Sequence, residues 1–259
     1  MLQGLKQMKF GVADYGMNVW YGGNWDLKGR LEDLKSIGMD GIERLNGVDA
    51  ADAVYKAVEF RRMGMDFATV ECGQNRGFGM ELTAAFGKEY VWLSPGDVGR
   101  SVPFDVFCRR ANAFVNAAAK LGLKAALHNH LGNRIQDQSE IFDFMNAVPG
   151  AYLLLDVGHV HGAGGDNVEI IHAFHDRLAA VHFKDVFIKD ESIGLDNWGQ
   201  RLRFCELGAG NCGFDVESVG EALKKYNYDK WALIEHDTHL RDPLIDLKTS
   251  LDVLKGIFC

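Results

Sequence analysis

Four apolar segments of the sequence end in, or are followed by, a histidine or a carboxylate, side chains that bind divalent metals. These side chains are His128, Asp156, His182 and Glu235. Imidazole and carboxylate ligands together suit Mn, Co, Fe or Zn better than Mg or Ca, and the lack of a thiolate argues against a structural zinc site. One such residue alone is more often structural, but packing does not require a polar side chain after four successive buried segments. We therefore predict a divalent metal site formed by these four residues.

The segments that must position these residues are of two alternating kinds. Short apolar runs rich in β-forming residues predict strands, and longer stretches with a 3.6-residue period predict helices. The predicted strands are 9–13, 40–44, 66–71, 89–93, 123–127, 151–155, 178–183 and 230–234, and the predicted helices are 27–37, 50–63, 104–121, 138–147, 166–177, 215–226 and 243–257. Near-continuous apolar strands are typical of a parallel sheet that is buried on both faces.

Eight alternating units predict an α/β protein with the fold of a (β/α)8 TIM barrel. The 259 residues allow about 32 for each unit, close to the roughly 30 that a strand and its crossover helix need. No linker or repeat divides the sequence, so we expect a single domain over residues 1–259. An open doubly wound sheet is the alternative, but no G-x-G-x-x-G follows the first strand. In a barrel, the carboxyl ends of the strands surround one mouth, where the four candidate ligands would meet.

One connection, residues 186–214, is much longer than the others. Long connections in compact domains are often functional. We expect this one to be a loop that covers the mouth and carries Trp198 and the turn Gly208-Ala209-Gly210. A lone G-x-G is weak support for phosphate binding at that turn.

The composition excludes several classes of protein. Hydrophobic residues make up 47% of the chain and charged residues 25%, which is typical of a folded globular protein. The net charge of -8 argues against sequence-independent nucleic-acid binding, which needs clustered Lys and Arg. The five cysteines form no C-x-x-C pair, and no segment has the pattern of a signal peptide or a membrane span. We therefore expect reduced thiols, a cytoplasmic location, and no nucleic-acid or membrane partner.

Several motifs of the sequence carry a resemblance to a known family. They are GIERLNG at 41–47, ALHNHLG at 126–132, LLLDVGHVHGAG at 153–164, AVHFKDV at 180–186, ELGAGNCGFD at 206–215 and ALIEHD at 232–237. In these motifs the chain resembles the xylose isomerase-like TIM-barrel superfamily of sugar isomerases and epimerases. That group includes inosose dehydratases, which are closest in motif style, and more distantly apurinic endonucleases. Family members are often dimers or tetramers, so the resemblance allows a homo-oligomer.

The resemblance implies metal ligands at the strand ends. The family has a Glu after strand five, the Asp of D-x-G-H, the His of H-x-K-D and a Glu after strand eight. The last three correspond to Asp156, His182 and Glu235, whereas His128 stands where the family commonly has the first Glu. By the same resemblance, His130 and His159 contact the substrate or support the ligands, and Glu43 is the strand-two Glu that faces the mouth.

Replacement of a carboxylate by His128 restricts the chemistry that the resemblance implies. Epimerases of this type use two carboxylates on opposite faces of the reacting carbon, and a metal-bound neutral imidazole has no lone pair free to take a proton. One-base chemistry remains open, with Glu235 removing a proton α to a metal-bound carbonyl and His159, Lys184 or His130 acting as the acid. The sequence thus predicts an isomerase or epimerase-family enzyme for a keto-sugar or cyclic polyol. An inosose-type dehydratase is the alternative, and a nuclease is less supported because strands two to four lack histidines.

Further polar and aromatic residues are candidates for contacts with such a substrate. Lys184 shares a strand face with His182, and Trp20 and Trp198 could stack on a sugar ring or simply pack. Glu43 could face the mouth or cap a loop, and Glu71 could touch substrate or pair with a Lys or Arg. Glu206 precedes the glycine-rich turn near the expected mouth.

Overall fold

Eight parallel strands form the central sheet of the part of the chain that the structure describes. The computed structural model describes residues 8–13, 26–73, 75–237 and 241–259. The strands of this sheet are β1 (Lys9–Val12), β2 (Gly41–Asn46), β3 (Asp66–Glu71), β4 (Tyr90–Trp92), β5 (Lys124–His128), β6 (Tyr152–Asp156), β7 (Leu178–Phe183) and, after the separate strands β8 (Asp185–Ile188) and β9 (Leu202–Cys205), β10 (Trp231–Ile234).

The order of strands in the sheet is that of a TIM barrel. Hydrogen bonds join the strands in the order β3-β2-β1-β10-β7-β6-β5-β4. The two end strands, β3 and β4, approach each other to within 8 Å between Cα atoms, so the barrel is nearly closed. The predicted (β/α)8 TIM barrel is confirmed, while its extent as a single domain over residues 1–259 stays a prediction.

Helices connect the strands and begin where the sequence supplies a cap. They are α1 (Leu27–Ile37), α2 (Ala50–Met63), α3 (Arg76–Ala85), α4 (Phe104–Lys120), α5 (Gln138–Ala147), α6 (Val157–Gly162), α7 (Asn167–Phe174), α8 (Trp198–Arg201), α9 (Val216–Lys225) and α10 (Pro243–Phe258). Asp26, Asp49 and Asp137 accept backbone N–H groups at the starts of α1, α2 and α5, which satisfies donors that have no partner within the helix. Gly38 and Gly64 end α1 and α2 with positive φ of 91° and 65°, a conformation that glycine adopts without steric cost.

Residues 186–214 were expected to form a loop, but their N-terminal part, up to Cys205, forms a β-hairpin. Strands β8 and β9 pair antiparallel, with Asp185 opposite Cys205, and the short helix α8 lies between them. Val186, Leu202 and Phe204 are buried in one cluster with Leu131. These apolar side chains pack the hairpin against Leu131 after β5, and Trp198 on the hairpin lines the cavity at the barrel mouth.

The barrel interior below the mouth is filled by side chains. Ala68, Tyr90, Ala126, Leu154, Ala180 and Leu233 belong to one buried cluster. Small alanines alternate with larger residues around this layer, so the barrel is a packed core rather than a pore. The layer closes the floor on which the polar side chains of the mouth rest. None of the helices in the described residues has the length and apolar character needed to cross a lipid bilayer.

Substitution of Gly41, at the start of β2, should destabilise the fold. A Cβ at this position would lie 1.8 Å from the carbonyl oxygen of Asp66 on β3, so the two strands would have to separate. We expect Gly41→Ala to lower the free energy of unfolding by at least about 2 kcal/mol in urea titrations. Gly256→Ala is the control, because a Cβ there meets no atom within 4 Å and alanine in a helix is favoured by about 0.5–1 kcal/mol. Equal stability of the two variants would contradict this account of β2.

Candidate metal centre

Four donor side chains meet at the carboxyl end of the barrel. His128 ends β5, Asp156 ends β6, His182 lies in β7 and Glu235 directly follows β10. The distance from His128 Nε2 to Asp156 Oδ2 is 3.2 Å, and His182 Nδ1 lies 3.6 Å from the same oxygen and 3.3 Å from Glu235 Oε2. One ligand atom from each residue lies within 4.8 Å of the others. The structure therefore brings together all four residues that the sequence indicates as ligands.

The spacing of these atoms fits a divalent metal ion. Ligands about 2.1 Å from a tetrahedral zinc lie roughly 3.4 Å from each other, and the measured separations are 3.2, 3.3 and 3.6 Å. Two imidazoles and two carboxylates match the ligand preference of Zn, Mn, Fe or Co. Three of the six separations in the donor set thus match those around one such ion, and the remaining ones do not exceed 4.8 Å.

Glu43 lies behind His182 rather than on the surface of the mouth. It is completely buried, and its Oε2 lies 3.0 Å from His182 Nε2. Tyr90 Oη and Trp92 Nε1 donate to its other oxygen over 2.9 and 2.8 Å. Partners of this kind orient a metal-binding histidine and raise its basicity. We therefore assign Glu43 an orienting role in place of the expected direct contact with substrate.

The surroundings of His182 favour its charged form when no metal is bound. Burial alone would lower the pKa of His182, but Glu43 and Glu235 outweigh it and raise this pKa well above the usual value. The metal-free imidazole is therefore protonated at neutral pH. Metal binding at Nδ1 must release that proton.

Lys184, just after β7, joins the acidic groups of the site. Its ammonium is completely buried and lies 2.9 Å from Asp156 Oδ2 and 3.3 Å from Asp237 Oδ2, with Glu235 Oε2 as its third partner. Burial alone would lower the pKa of Lys184, but Asp156, Asp237 and Glu235 raise it. Lys184 therefore stays positively charged and holds the carboxylates in place.

The glycine of the D-x-G-H motif makes room for this lysine. A Cβ on Gly158 would lie 2.3 Å from Lys184 Cγ, well inside van der Waals contact. Glycine is therefore required so that the lysine stem can pass α6 and reach Asp156.

Two histidines with rings in close, tilted contact lie beside the donor set. The ring centroids of His130 and His159 are 3.9 Å apart, and the His159 Nδ1 accepts the Leu131 N–H over 3.2 Å, so its proton sits on Nε2. Burial, reinforced by Lys184, keeps the pKa of His159 well below its usual value, and burial with His128 lowers the pKa of His130 to about 4. Both rings are neutral at pH 7.

The cavity above the centre differs in part from the predicted substrate site. It has a volume of about 680 Å³, including the part open to solvent, and is lined by Arg44, Trp92, His128, His130, Asn133, Trp198, Glu235 and Asp237. Sequence reasoning missed Arg44, Trp92, Asn133 and Asp237 as lining residues. Two of these could have been predicted from the sequence. Asp237 is two residues after Glu235 and so points to the same side, and Trp92 ends β4 as His128 ends β5.

Other predicted substrate contacts lie away from this cavity. The Glu71 carboxylate pairs with Arg44 Nη1 over 2.8 Å, and the Glu206 carboxylate pairs with Arg241 Nη2 over 2.9 Å. Neither glutamate lines the cavity. Trp20 lies outside the described residues. These three substrate contacts therefore stay predictions.

The glycine-rich turn after β9 binds a carboxylate of the protein itself. The backbone N–H groups of Gly208 and Gly210 donate to Asp185 Oδ2 over 2.9 and 3.1 Å. A Cβ on Gly210 would lie 2.1 Å from Asp185 Oδ1. Asp185, which follows Lys184, thus fixes the chain at the end of β7, and the turn has no free donors here for a phosphate.

The fold and the site define a TIM barrel whose carboxyl-end mouth holds a buried set of potential metal ligands. The chain belongs to the xylose isomerase-like TIM barrel family, whose model matches residues 78–257. This match includes the four candidate ligands.

Curated relatives match about half of the chain. An inosose dehydratase of Lactiplantibacillus plantarum is 35% identical over 138 residues, which are 51% of this chain and 46% of the relative. An inosose dehydratase of Clostridium botulinum is 30% identical over 143 residues, 51% of this chain and 47% of the relative. The chain thus spans about half the length of the curated relatives it matches.

Solved structures resemble the chain over nearly its full length. An L-ribulose 3-epimerase has a TM-score of 0.72 at 15% identity and covers 97% of this chain and 95% of its own. A probable 3-DHS dehydratase of Bacillus anthracis has a TM-score of 0.73 at 14% identity, with 96% of this chain and 99% of its own covered. At this level of identity the likeness concerns the fold.

Metal binding should stabilise the protein and depend on pH. Because the metal-free His182 carries a proton at neutral pH, we expect the association constant for Mn²⁺ or Zn²⁺ to rise about tenfold per pH unit below the pKa of His182 and to level off above it. Saturation at about 100 times the dissociation constant should add about 2.7 kcal/mol to stability. Calorimetric titration at several pH values measures the association constant, and unfolding with and without metal measures the gain in stability. Asp156→Asn should lose metal binding. His175→Gln, on an exposed helix end, is the control and should keep it. A protein that gains no stability with any of Mn, Co, Fe or Zn would contradict the proposed metal site.

The orienting role of Glu43 predicts a second metal-affinity effect. Glu43→Gln keeps the size of the side chain but removes its charge, so it should weaken metal affinity by about 10–100-fold. Glu71→Gln is the control, because Glu71 lies on the neighbouring strand β3 and its carboxylate does not contact His182. Unchanged metal affinity in Glu43→Gln, measured by calorimetry, would show that the buried carboxylate has only a packing role.

Proposed function

We propose that the protein is a divalent-metal-dependent dehydratase that eliminates water from a cyclic keto-polyol of the keto-inositol type. The observation that carries this proposal is the placement of acidic groups in the cavity. Glu235 and Asp237 lie on one side and share Lys184, while His128 and Trp92 come from β5 and β4 across the barrel. The curated relatives named inosose dehydratase agree with this assignment.

One base is sufficient for the proposed elimination. A divalent ion held by His128, Asp156, His182 and Glu235 would polarise the substrate carbonyl and stabilise the negative charge that develops on its oxygen. Glu235 lines the cavity, and Lys184 holds its pKa well below the usual value against the effect of burial. Glu235 is therefore ionised and takes the proton from the carbon α to the carbonyl.

The hydroxyl on the β carbon leaves as water when the C–O bond breaks and the new carbon–carbon double bond forms. This hydroxyl must receive a proton, and among the three acids that the sequence indicates only His130 lines the cavity. Lys184 and His159 are completely buried beneath it. The His130 Nδ1 lies 2.6 Å from the Leu131 carbonyl oxygen, so this ring holds its proton on Nδ1. The Nε2 of this neutral ring has no proton to donate, so we assign proton delivery to Asp237, which lines the cavity and whose pKa burial raises to about 6.

A keto-sugar epimerase is the second candidate, and Asp237 favours it. Asp237 supplies a second carboxylate in the cavity, as two-base epimerisation needs. Its oxygen and that of Glu235 both contact the Lys184 ammonium, however, and from this closeness we infer that the two carboxylates would approach a substrate from the same side. Inversion needs them on opposite faces, which is why we place dehydration first.

Incubation of the metal-loaded protein with keto-inositol in heavy water separates these reactions. Dehydration produces an enone or dione that absorbs in the near ultraviolet, whereas epimerisation or isomerisation of keto-hexoses introduces deuterium at carbon without loss of water. We expect the absorbing product from keto-inositol. Deuterium incorporation without that product would replace the dehydratase by an epimerase or isomerase.

Glu235→Gln should abolish the reaction, because the amide cannot take the proton; removal of a general base costs about 10²–10⁴ in kcat. Metal content must be measured in the same sample, since Glu235 is also a candidate ligand. Glu221→Gln, on the exposed face of α9, is the control. Full turnover by the metal-loaded Glu235→Gln variant would exclude Glu235 as the base.

A further inference from the structure

Two further cavities adjoin the main one. A second cavity of about 620 Å³ shares Trp92, His128 and Asn133 with the main one and is also lined by Arg76, Ser94 and Gly96. A third, of about 510 Å³, contains Arg44, Arg76 and Trp92 and lies between β3, β4 and α3. We call the space around Arg44, Arg76, Trp92, Ser94 and Asn133 the side groove. His128 and Trp92 line both the main and the second cavity, so the side groove lies directly beside the metal centre.

The side groove is locally cationic in an acidic protein. The chain has a net charge of -8, yet Arg44, Arg76 and Arg134 line these adjoining cavities. Arg44 pairs with Glu71, and Arg134 pairs with Glu140. In the described part of the chain, no salt bridge involves Arg76, which donates to the Ser94 carbonyl oxygen. The guanidinium of Arg76 therefore carries positive charge that no carboxylate of these residues offsets.

Arg44 is held rigidly at the junction of the groove with the main cavity. Its guanidinium carbon lies 4.3 Å from the centre of the Trp92 ring, and Glu71 fixes Nη1 over 2.8 Å. Stacking and a fixed fork of donors reduce the rotamer entropy lost on binding. Guanidinium groups bind carboxylate and phosphate oxygens through paired, charge-assisted hydrogen bonds.

We propose that the side groove binds an anionic group, a carboxylate or a phosphate, at the end of the substrate remote from the carbonyl at the metal centre. Arg76 supplies the uncompensated charge, and Arg44 orients the chain of the ligand between the groove and the main cavity. The inference rests on the proposed function for the position of the carbonyl. It adds that the site prefers a keto-polyol that carries an anionic group over a neutral one.

Binding of three unreactive six-carbon polyols tests the proposal. Gluconate carries a carboxylate, glucitol 6-phosphate carries a phosphate and glucitol is neutral. Calorimetry on the metal-loaded protein should give at least about tenfold tighter binding for one or both anions than for glucitol, with the advantage falling as salt is added. Preference for gluconate alone identifies a keto acid, and preference for the phosphate alone identifies a sugar phosphate as the substrate class.

Variants of Arg76 separate groove binding from coordination of the anion by the metal. Arg76→Gln should remove most of the anion preference without changing glucitol affinity, and Arg76→Lys should keep part of it. Arg109→Gln removes an exposed arginine of α4 that lines none of these cavities and should change nothing. Equal affinity for all three polyols, or an anion preference that Arg76→Gln leaves intact, would overturn the proposal. These affinities are measured without turnover, so the result does not depend on whether the dehydratase assay succeeds.

Discussion

The buried ammonium of Lys184 is the interaction on which the mouth of the barrel depends. It lies among the carboxylates of Asp156, Asp237 and Glu235, which come from the ends of β6 and β10. Burial of an ionised group costs several kcal/mol, which only partners at close range offset. Without this cation, the carboxylates would repel one another and take up protons, and they would then neither bind a metal nor act as a base. The lysine therefore sets the charge state of the whole site.

The hairpin of β8 and β9 packs against the same ammonium. The Lys184 Nζ lies 4.4 Å from the ring centre of Phe204 on β9, and the Phe204 ring also contacts His159 at 4.4 Å. Phe204 thus excludes water from one side of the charged cluster. Exclusion of water strengthens every ion pair beneath it. The hairpin also carries Trp198, so the segment that seals the cluster also forms part of the substrate cavity.

The sequence predicts the barrel, and the meeting of four donor side chains at its mouth, because both follow from local patterns. Apolar runs show the strands, and stretches with a 3.6-residue period show α1, α2 and α5. Helix α3 escaped prediction because Gly77 and Gly79 interrupt its helical pattern, and its stability comes from packing against the sheet. The hairpin escaped because its strands are four residues each. The site roles of Glu43 and Arg44, neighbours on β2, depend on contacts with Trp92 that no local pattern contains.

The charges of the centre indicate how metal binding and structure support each other. In the metal-free protein, Lys184 and a protonated His182 offset part of the negative charge of Glu43, Asp156, Glu235 and Asp237. A divalent ion that displaces the proton of His182 brings one more positive charge than it removes. Metal binding would thus move the cluster toward neutrality, and Glu43 would stabilise the neutral imidazole through its Nε2–H. In the metal-free protein, the protonated His182 therefore keeps Glu43 and Glu235 in contact with its ring.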